Sequence, residues 1–563
     1  MTDLNFGLFM HLNKQNKTLY LTPTALRRIK IEPNMKTYPS IFNDVIGPVM
    51  RGPSSSHCAA SIRIGRMCRD LMDGDIQEVY VEFDPNGSLA TTHKGQGSDM
   101  GLFGGFLGWE AYEERLPDYL RAIEEAGIQI KIDIHPIGAT HPNTYKLTLT
   151  NKKESREVTA ISTGGGMIEI LEIDGAQVSM AGDFYQTLVY VKTAGSLPEF
   201  IEKSMPCDEV AVRQGKSTFI EIKANAFLNA EICAELLQQD EVLFIKKIKP
   251  VLPVMSRKDL EVPFITCEEM LAFNQDKNHA LWELAVDYES MRGNISRAEV
   301  FEKMRSIVQI MQNSIDLGLK GTKYADRILG PQSLGFQKQL ANKKLVEGDI
   351  LNQVILYTSA MMEVKSSMGV VVAAPTAGSC GALPGALIGI SRGLSLHEDE
   401  TVKAMLAAGI IGVFIAAHAT FAAEVGGCMA ECGSGSGMAA AGIVELKKGT
   451  LDQSLGAASM ALQSSLGMIC DMIADRVEAP CLNRNVMAAT NAISCANMAL
   501  SDYNHLIPLD EVVETMKKVG DAIPNTLRCT GLGGLAITKT AKKIEAMLNQ
   551  QEQEASKTFF KVC

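Results

Sequence analysis

The chain reads as a multidomain protein: an N-terminal extension (1–36), an α/β part (37–184), a smaller βαββαβ part (185–253) and a large all-α part (254–563). Three observations predict this. Apolar and polar residues alternate through the first part. A strand–helix–strand–strand–helix–strand rhythm follows. Beyond Pro250-Val-Leu-Pro253 the apolar period becomes helical and stays so.

In the first part, Val79, Val81 and Phe83, then Ile128, Ile130, Ile132 and Ile134, then Tyr145, Leu147 and Leu149 mark half-buried strands. Helices are expected between Cys58 and Met72 and between Asp118 and Ala126. Ser162-Thr-Gly-Gly-Gly166 has no Lys-Ser/Thr after it, so it reads as a turn rather than a phosphate loop. The second part places strands at Thr187–Lys192, Glu209–Arg213, Ser217–Lys223 and Glu241–Ile248, with helices at Leu197–Met205 and Ala226–Gln239. That order is the ferredoxin-like split motif, which names a fold and no activity.

In the third part Ser296-Arg-Ala-Glu299 is a capping box, followed by Val300, Met304, Ile307, Val308, Met311 and Ile315 at helical steps until Gly318, the expected stop. Ser395-Leu-His-Glu398 is expected to cap a second helix in the same way. Between Lys403 and Glu424 lie 20 uncharged residues, long enough for a membrane span. Half of them are Ala or Gly and His418 lies inside, so a wholly buried central helix is expected. A further charged helix covers Lys539 to Gln550.

Composition narrows the function. A net charge of -11 and a pI near 5.5 argue against nucleic acid or an anionic membrane and favour a small-molecule substrate. Thirteen scattered cysteines fit a reducing compartment, and the cytoplasm is the expected location. Asn13, Lys14, Asn16 and Lys17 interrupt any signal-peptide core, while Lys14, Lys17, Arg27, Arg28 and Lys30 leave an organellar address open.

Two runs carry the chemistry. Cys428 lies in Glu424-Val-Gly-Gly-Cys-Met-Ala-Glu431, and Cys470 and Cys481 bound Cys470-Asp-Met-Ile-Ala-Asp-Arg-Val-Glu-Ala-Pro-Cys481. Three thiolates can hold three corners of a [4Fe-4S] cluster and leave the fourth iron open as a Lewis acid. Spacing alone leaves Cys428 and Cys432, four residues apart, as alternatives. Gly426 and Gly427 remove bulk where a cluster needs the backbone close, and Pro480 sets a turn before Cys481. Cys68, Cys207, Cys233, Cys267, Cys380, Cys495 and Cys529 read as bystanders. In Gly52-Pro-Ser-Ser-Ser-His57, Ser54, Ser55 and Ser56 read as helix caps whose free amide groups cradle a carboxylate. The helix N-terminus would hold His57 neutral, as a general base requires, with His93 and His141 as competitors. Thr376-Ala-Gly-Ser379 is a tight polar loop suited to an ammonium or carboxylate.

Several long runs resemble the iron-sulfur L-serine dehydratases, covering the chain from Tyr38 to about Leu548. Those similar to the α portion are Ala374-Pro-Thr-Ala-Gly-Ser-Cys-Gly-Ala-Leu-Pro-Gly385, the Gly426–Glu431 run, Met438-Ala-Ala-Ala-Gly442, Cys470 to Cys481 with Arg484-Asn485, and Thr530-Gly-Leu-Gly-Gly-Leu-Ala536. Ile46 to His57, His93-Lys-Gly-Gln-Gly-Ser-Asp99 and His141-Pro-Asn-Thr144 resemble the β portion. The resemblance implies cluster ligands at Cys428, Cys470 and Cys481, a base at His57, and substrate contacts at Ser54, Ser55, Ser56, Lys94, Thr376, Gly378, Arg484 and Asn485. It further implies an allosteric-substrate-binding-like first domain, an ACT-like second domain and a homodimer.

Three positions depart from the family pattern. Cys58 stands where Thr is usual, Met472 where Pro is usual, which would loosen the cluster loop, and Cys432 where a small apolar residue is usual, so Cys432 reads as structural. Cys563 is a candidate regulatory ligand. The implied reaction converts L-serine to pyruvate and ammonia without pyridoxal phosphate, whose lysine motif is missing. The alternatives are an L-cysteine desulfidase and a catalytically inert amino-acid sensor.

Overall fold

The computed structural model describes residues 38–559, with side chains through residue 551. The extension 1–36 and Cys563 lie outside the described residues.

A six-stranded sheet forms the first lobe. Glu78–Phe83 pairs in parallel with Gln129–Ile134 at one edge and antiparallel with Thr144–Thr150. Ser155–Gly164, Met167–Ile173 and Ala176–Met180 continue it antiparallel. The alternation works as expected: Val79, Val81, Phe83, Tyr145, Leu147 and Leu149 point into one core against Ile64, Met67 and Leu71 of the helix Ala60–Leu71 and Leu102 and Phe103 of the helix Ser98–Phe106. The glycine triplet is a turn joining two strands, and its Gly164 lies against the Ala422 backbone. The hairpin tip therefore supports the loop that carries Glu424.

The second sheet orders its strands Val242–Ile248, Tyr185–Val191, Thr218–Ala224, Glu209–Gln214, every neighbour antiparallel. This is the ferredoxin-like arrangement. One face packs Val189, Ile220 and Ile222 on Ile201 and Leu236 of its own helices Leu197–Ser204 and Ala230–Leu237. The other face sends Leu188, Tyr190 and Phe219 into the first lobe's core.

The remainder is helical apart from Val371–Val372. Ser296 caps the helix Arg297–Leu319 by accepting from the Glu299 amide at 3.1 Å. Gly318 lies inside this helix instead of stopping it. A Cβ there would stand 2.4 Å from the Ala360 carbonyl oxygen, so glycine permits close packing on the helix Asp349–Ser366. The next capping expectation is also corrected: His397, in extended backbone, caps Glu398–His418, while Ser395 sits at φ +54° in the preceding turn and cannot cap. That helix is buried from Ala404 to Ile415, where it packs against the helix Ser434–Leu446 at the middle of the largest core, but it is not wholly buried, since it ends at an exposed His418.

The first described residues belong to this helical core and not to the first lobe's. Ile41, Phe42, Val45, Ile46 and Met50 are buried within it, and Val49–Met50 pairs antiparallel with Val371–Val372. Anchored there, the chain emerges at Pro53–His57 on the boundary between the lobe and the helices.

Candidate active site

His57 does not sit at an open helix N-terminus. Residues Ser55–Ala59 form a π-turn ahead of Ala60–Leu71, and His57 is fully buried in it. Its ring is lowered to about 3 by burial, and secondarily by His93, so the neutral form expected from a helix dipole arises from desolvation instead. Nε2 lies 2.8 Å from Thr92 Oγ1, and the Thr92 hydroxyl donates to the Ser88 carbonyl at 2.6 Å. Thr92 must then accept, which assigns the ring proton to Nε2. The bare Nδ1 faces Ser54 Oγ at 3.1 Å and Glu424 Oε1 at 3.4 Å.

The serine side chains serve as clamps and not as helix caps. Ser54 makes no side-chain cap bond and contacts His57 instead. Ser55 accepts from the Ala377 amide at 3.1 Å, and Ser56 bonds to Glu424. His93 is held on Asp99 at 2.7 Å, and His141 accepts from the Asn143 amide.

The thiols converge from three segments. Cys428 follows Gly427, whose φ is +69° and where a Cβ would meet the Met468 carbonyl at 2.7 Å. That glycine serves a close backbone crossing with 468–469, beside the thiols. Cys470 is pinned beside Cys529 by its amide to Leu527 O at 2.9 Å and by the Cys529 amide to its own carbonyl at 3.1 Å. Cys481 opens the helix Cys481–Leu500. The Cys428 and Cys470 thiols hydrogen-bond each other. The Arg484 guanidinium donates to Cys428 Sγ at 3.4 Å and to Asp471 Oδ1 at 2.6 Å. Asp471 is locked in turn by the Leu535 amide at 2.7 Å. Burial pushes the Cys481 thiol up to about 12. Met472 does not loosen the loop: it is buried, and the Gln96 amide donates to its sulfur at 2.9 Å.

The polar loop joins both sides. Thr376 donates to Glu431 Oε1 at 2.7 Å and, with Ser379, forms a capping box. Glu431 is raised to about 7 by burial and by Glu424. A Cβ on Gly378 would come within 2.9 Å of Glu431, so Gly378 makes room for that carboxyl. Asn485 accepts from the Gly381 and Ala382 amides and donates to Gly378 O and Cys481 O, clamping the loop to the cysteine helix. Its amide also reaches Cys432 Sγ at 3.7 Å. Lys94 stands apart, exposed at a cleft lined by Pro53, Tyr324, Asp326 and Arg476.

Sequence reasoning passed over Glu424, Glu431, Thr92, Gln96, Asp471 and Lys365. The two glutamates were legible as lone carboxylates at either end of the Gly-Gly-Cys run. Lys365 is fully buried, has no hydrogen-bond partner at Nζ, and lies in the field of Cys481, Cys380 and Glu431.

Do these residues suit an iron-sulfur cluster? Among the described residues no group of three or more His, Cys, Asp or Glu side chains is arranged to hold one metal ion. A multi-iron cluster asks for something else: separate thiolates from separate segments, each proton replaced by iron, with cationic groups nearby. Free, buried Cys428, Cys470 and Cys481 beside Arg484 suit that demand.

Fold and site together define an enzyme whose centre is shared between a Ser-His turn of an α/β lobe and cysteine loops of a helical part. Residues 276–536 match the family described as serine dehydratase alpha chain. The chain is 34% identical over 282 residues to a probable L-serine dehydratase alpha chain of Bacillus subtilis, covering 50% of this chain and 94% of that one. It is 41% identical over 152 residues to the probable beta chain of the same organism, covering 27% and 68%. With L-serine dehydratase 1 of Escherichia coli it shares 27% identity over 505 residues, 86% of this chain and 96% of that one. The chain belongs to the serine dehydratase family.

Proposed function

We infer that the chain is an L-serine ammonia-lyase, converting L-serine to pyruvate and ammonia. The observation that carries this is that Cys428, in a chain of this family, bonds to Arg484 and to the Cys470 thiol with Cys481 in its field, while Glu424 of the same run reaches the neutral His57. A [4Fe-4S] cluster on those three thiolates supplies, when bound, a Lewis acid toward the departing hydroxyl.

His57 is the base. Its Nδ1 lone pair takes the proton from Cα of the substrate while Thr92 and Ser88 fix the ring through Nε2. Burial opposes a charged ring, and Glu424 Oε1 is placed to pair with it once it carries that proton. Arg484, anchored on Asp471, supplies fixed positive charge beside the thiolates. The Thr376–Gly378 loop, held by Asn485, orients the substrate's polar groups, and Lys94 lies at the outer mouth. Loss of water leaves aminoacrylate, which tautomerises and hydrolyses without further catalytic groups.

The four-stranded module is proposed as an ACT-like effector domain, the first lobe as related to allosteric substrate-binding domains, and the working form as a cytoplasmic homodimer. Anaerobic purification with iron and sulfide analysis, followed by turnover of L-serine, L-threonine and L-cysteine, tests the reading. Preferred release of sulfide from L-cysteine would replace it with a desulfidase, and no turnover of any of them with a sensor.

A further inference from the structure

Sequence alone makes Cys529 a bystander, yet its thiol joins the cysteine centre. It is buried and hydrogen-bonds the Cys470 thiol, so that Cys428, Cys470 and Cys529 pack as one group with Met472 and Ala423. The two backbone bonds between the 470 and 527–529 segments fix this neighbour. Gln96, from the α/β lobe, donates its amide to Cys529 Sγ at 3.4 Å as well as to Met472 Sδ. Amide donors to sulfur are a standard means of stabilising thiolates and tuning iron-sulfur centres. Cys529 also holds φ +57°, which side chains rarely adopt.

We propose that Cys529, held in place by Gln96, is a fourth, exchangeable thiolate ligand of the cluster in the resting protein, which the substrate's hydroxyl would have to displace before the iron could act on it. The proposal rests on the iron-sulfur reading above. It places the fourth ligand inside the fold, beside Cys470, and leaves Cys563 without a required role in coordination.

The test is Mössbauer spectroscopy of the full chain, reconstituted anaerobically with iron-57 and measured without substrate, in the parent, Cys529→Ala and Cys529→Ser. In the parent all irons should resemble thiolate-bound iron. Either variant should set apart about one iron in four as a site with a non-sulfur ligand. Ferricyanide should then convert Cys529→Ala to the three-iron form, read by electron paramagnetic resonance, about 10- to 100-fold faster than the parent, the range that loss of a supporting group costs a metal site. If Cys529→Ala does not fold by circular dichroism, Cys529→Ser is read instead, since a serine oxygen also marks its iron as distinct. A parent that already shows a distinct iron, unchanged in both variants, overturns the proposal alone. So does a Cys470–Cys529 disulfide found by mass spectrometry in the cluster-bearing protein. An iron-free parent would sink the iron-sulfur reading itself and this inference with it.

Discussion

The two sheets are built from similar antiparallel strands, but they serve the centre differently. The six-stranded sheet and its helices send His57, Thr92 and Gln96 inward to Glu424, Met472 and Cys529, and its hairpin tip rests on Ala422. The four-stranded sheet spends one face on its own helices and the other on the first lobe's core. Its polar contacts with that lobe include Lys246 to Asp73 at 2.7 Å and to Glu154 at 2.5 Å, away from the cysteines. The geometry of the candidate site thus depends on the first sheet, and the second meets that lobe through a shared apolar wall and these polar contacts at its edge.

That contrast can be broken by substitution, starting where the effect is greatest. Cys470→Ala should abolish both iron content and pyruvate formation, since it removes a thiol bonded to two others; retention of either would separate the cysteines from the chemistry. His57→Gln should lower kcat by about 10²- to 10⁴-fold while iron content and absorbance stay unchanged, a split that locates the loss in the first lobe and not in the metal site.

The same variant has a stability signature. His57 is lowered from 6.5 to about 3, so the unfolded chain takes up a proton first as pH falls. Its contribution is fully present above pH 6.5 and is lost as pH drops toward 3. Between pH 6.5 and 5 that loss reaches about 2 kcal/mol at most. Denaturant midpoints should fall more steeply on acidification in the parent than in His57→Gln, with Glu424 and Glu431 common to both.

Lys246→Met, in the second sheet, should cost about 1–2 kcal/mol of stability and leave basal kcat within error, because its partners lie outside the centre. A large drop in kcat would show that the module positions catalytic groups directly. Cys432→Ala should do least: Asn485 makes four better bonds than its 3.7 Å contact with that thiol, so iron content should persist.

Much of this was legible in the chain itself. Period-two residues such as Val79 and Tyr145 announced their strands, and the βαββαβ rhythm announced its sheet order. The three strands from Ser155 to Met180 alternate equally well, but they were not among the strands expected from the sequence. Capping boxes were half readable: Ser296 caps, whereas Ser395 does not, because a backbone at positive φ is invisible in composition. For the site, types were readable and environments were not. A serine-histidine run suggested a solvated helix start, but burial in a π-turn decides the ring's protonation. Cys529 and Gln96 approach the thiols from 433 residues apart in sequence, a pairing no local pattern encodes.

The central claim is that thiolates of this chain hold the metal on which dehydration depends. Iron and acid-labile sulfide should be counted in anaerobically purified protein alongside its rate of pyruvate formation from L-serine. About four of each per chain, with activity proportional to occupancy, is the predicted result. Full activity in protein devoid of iron would contradict it.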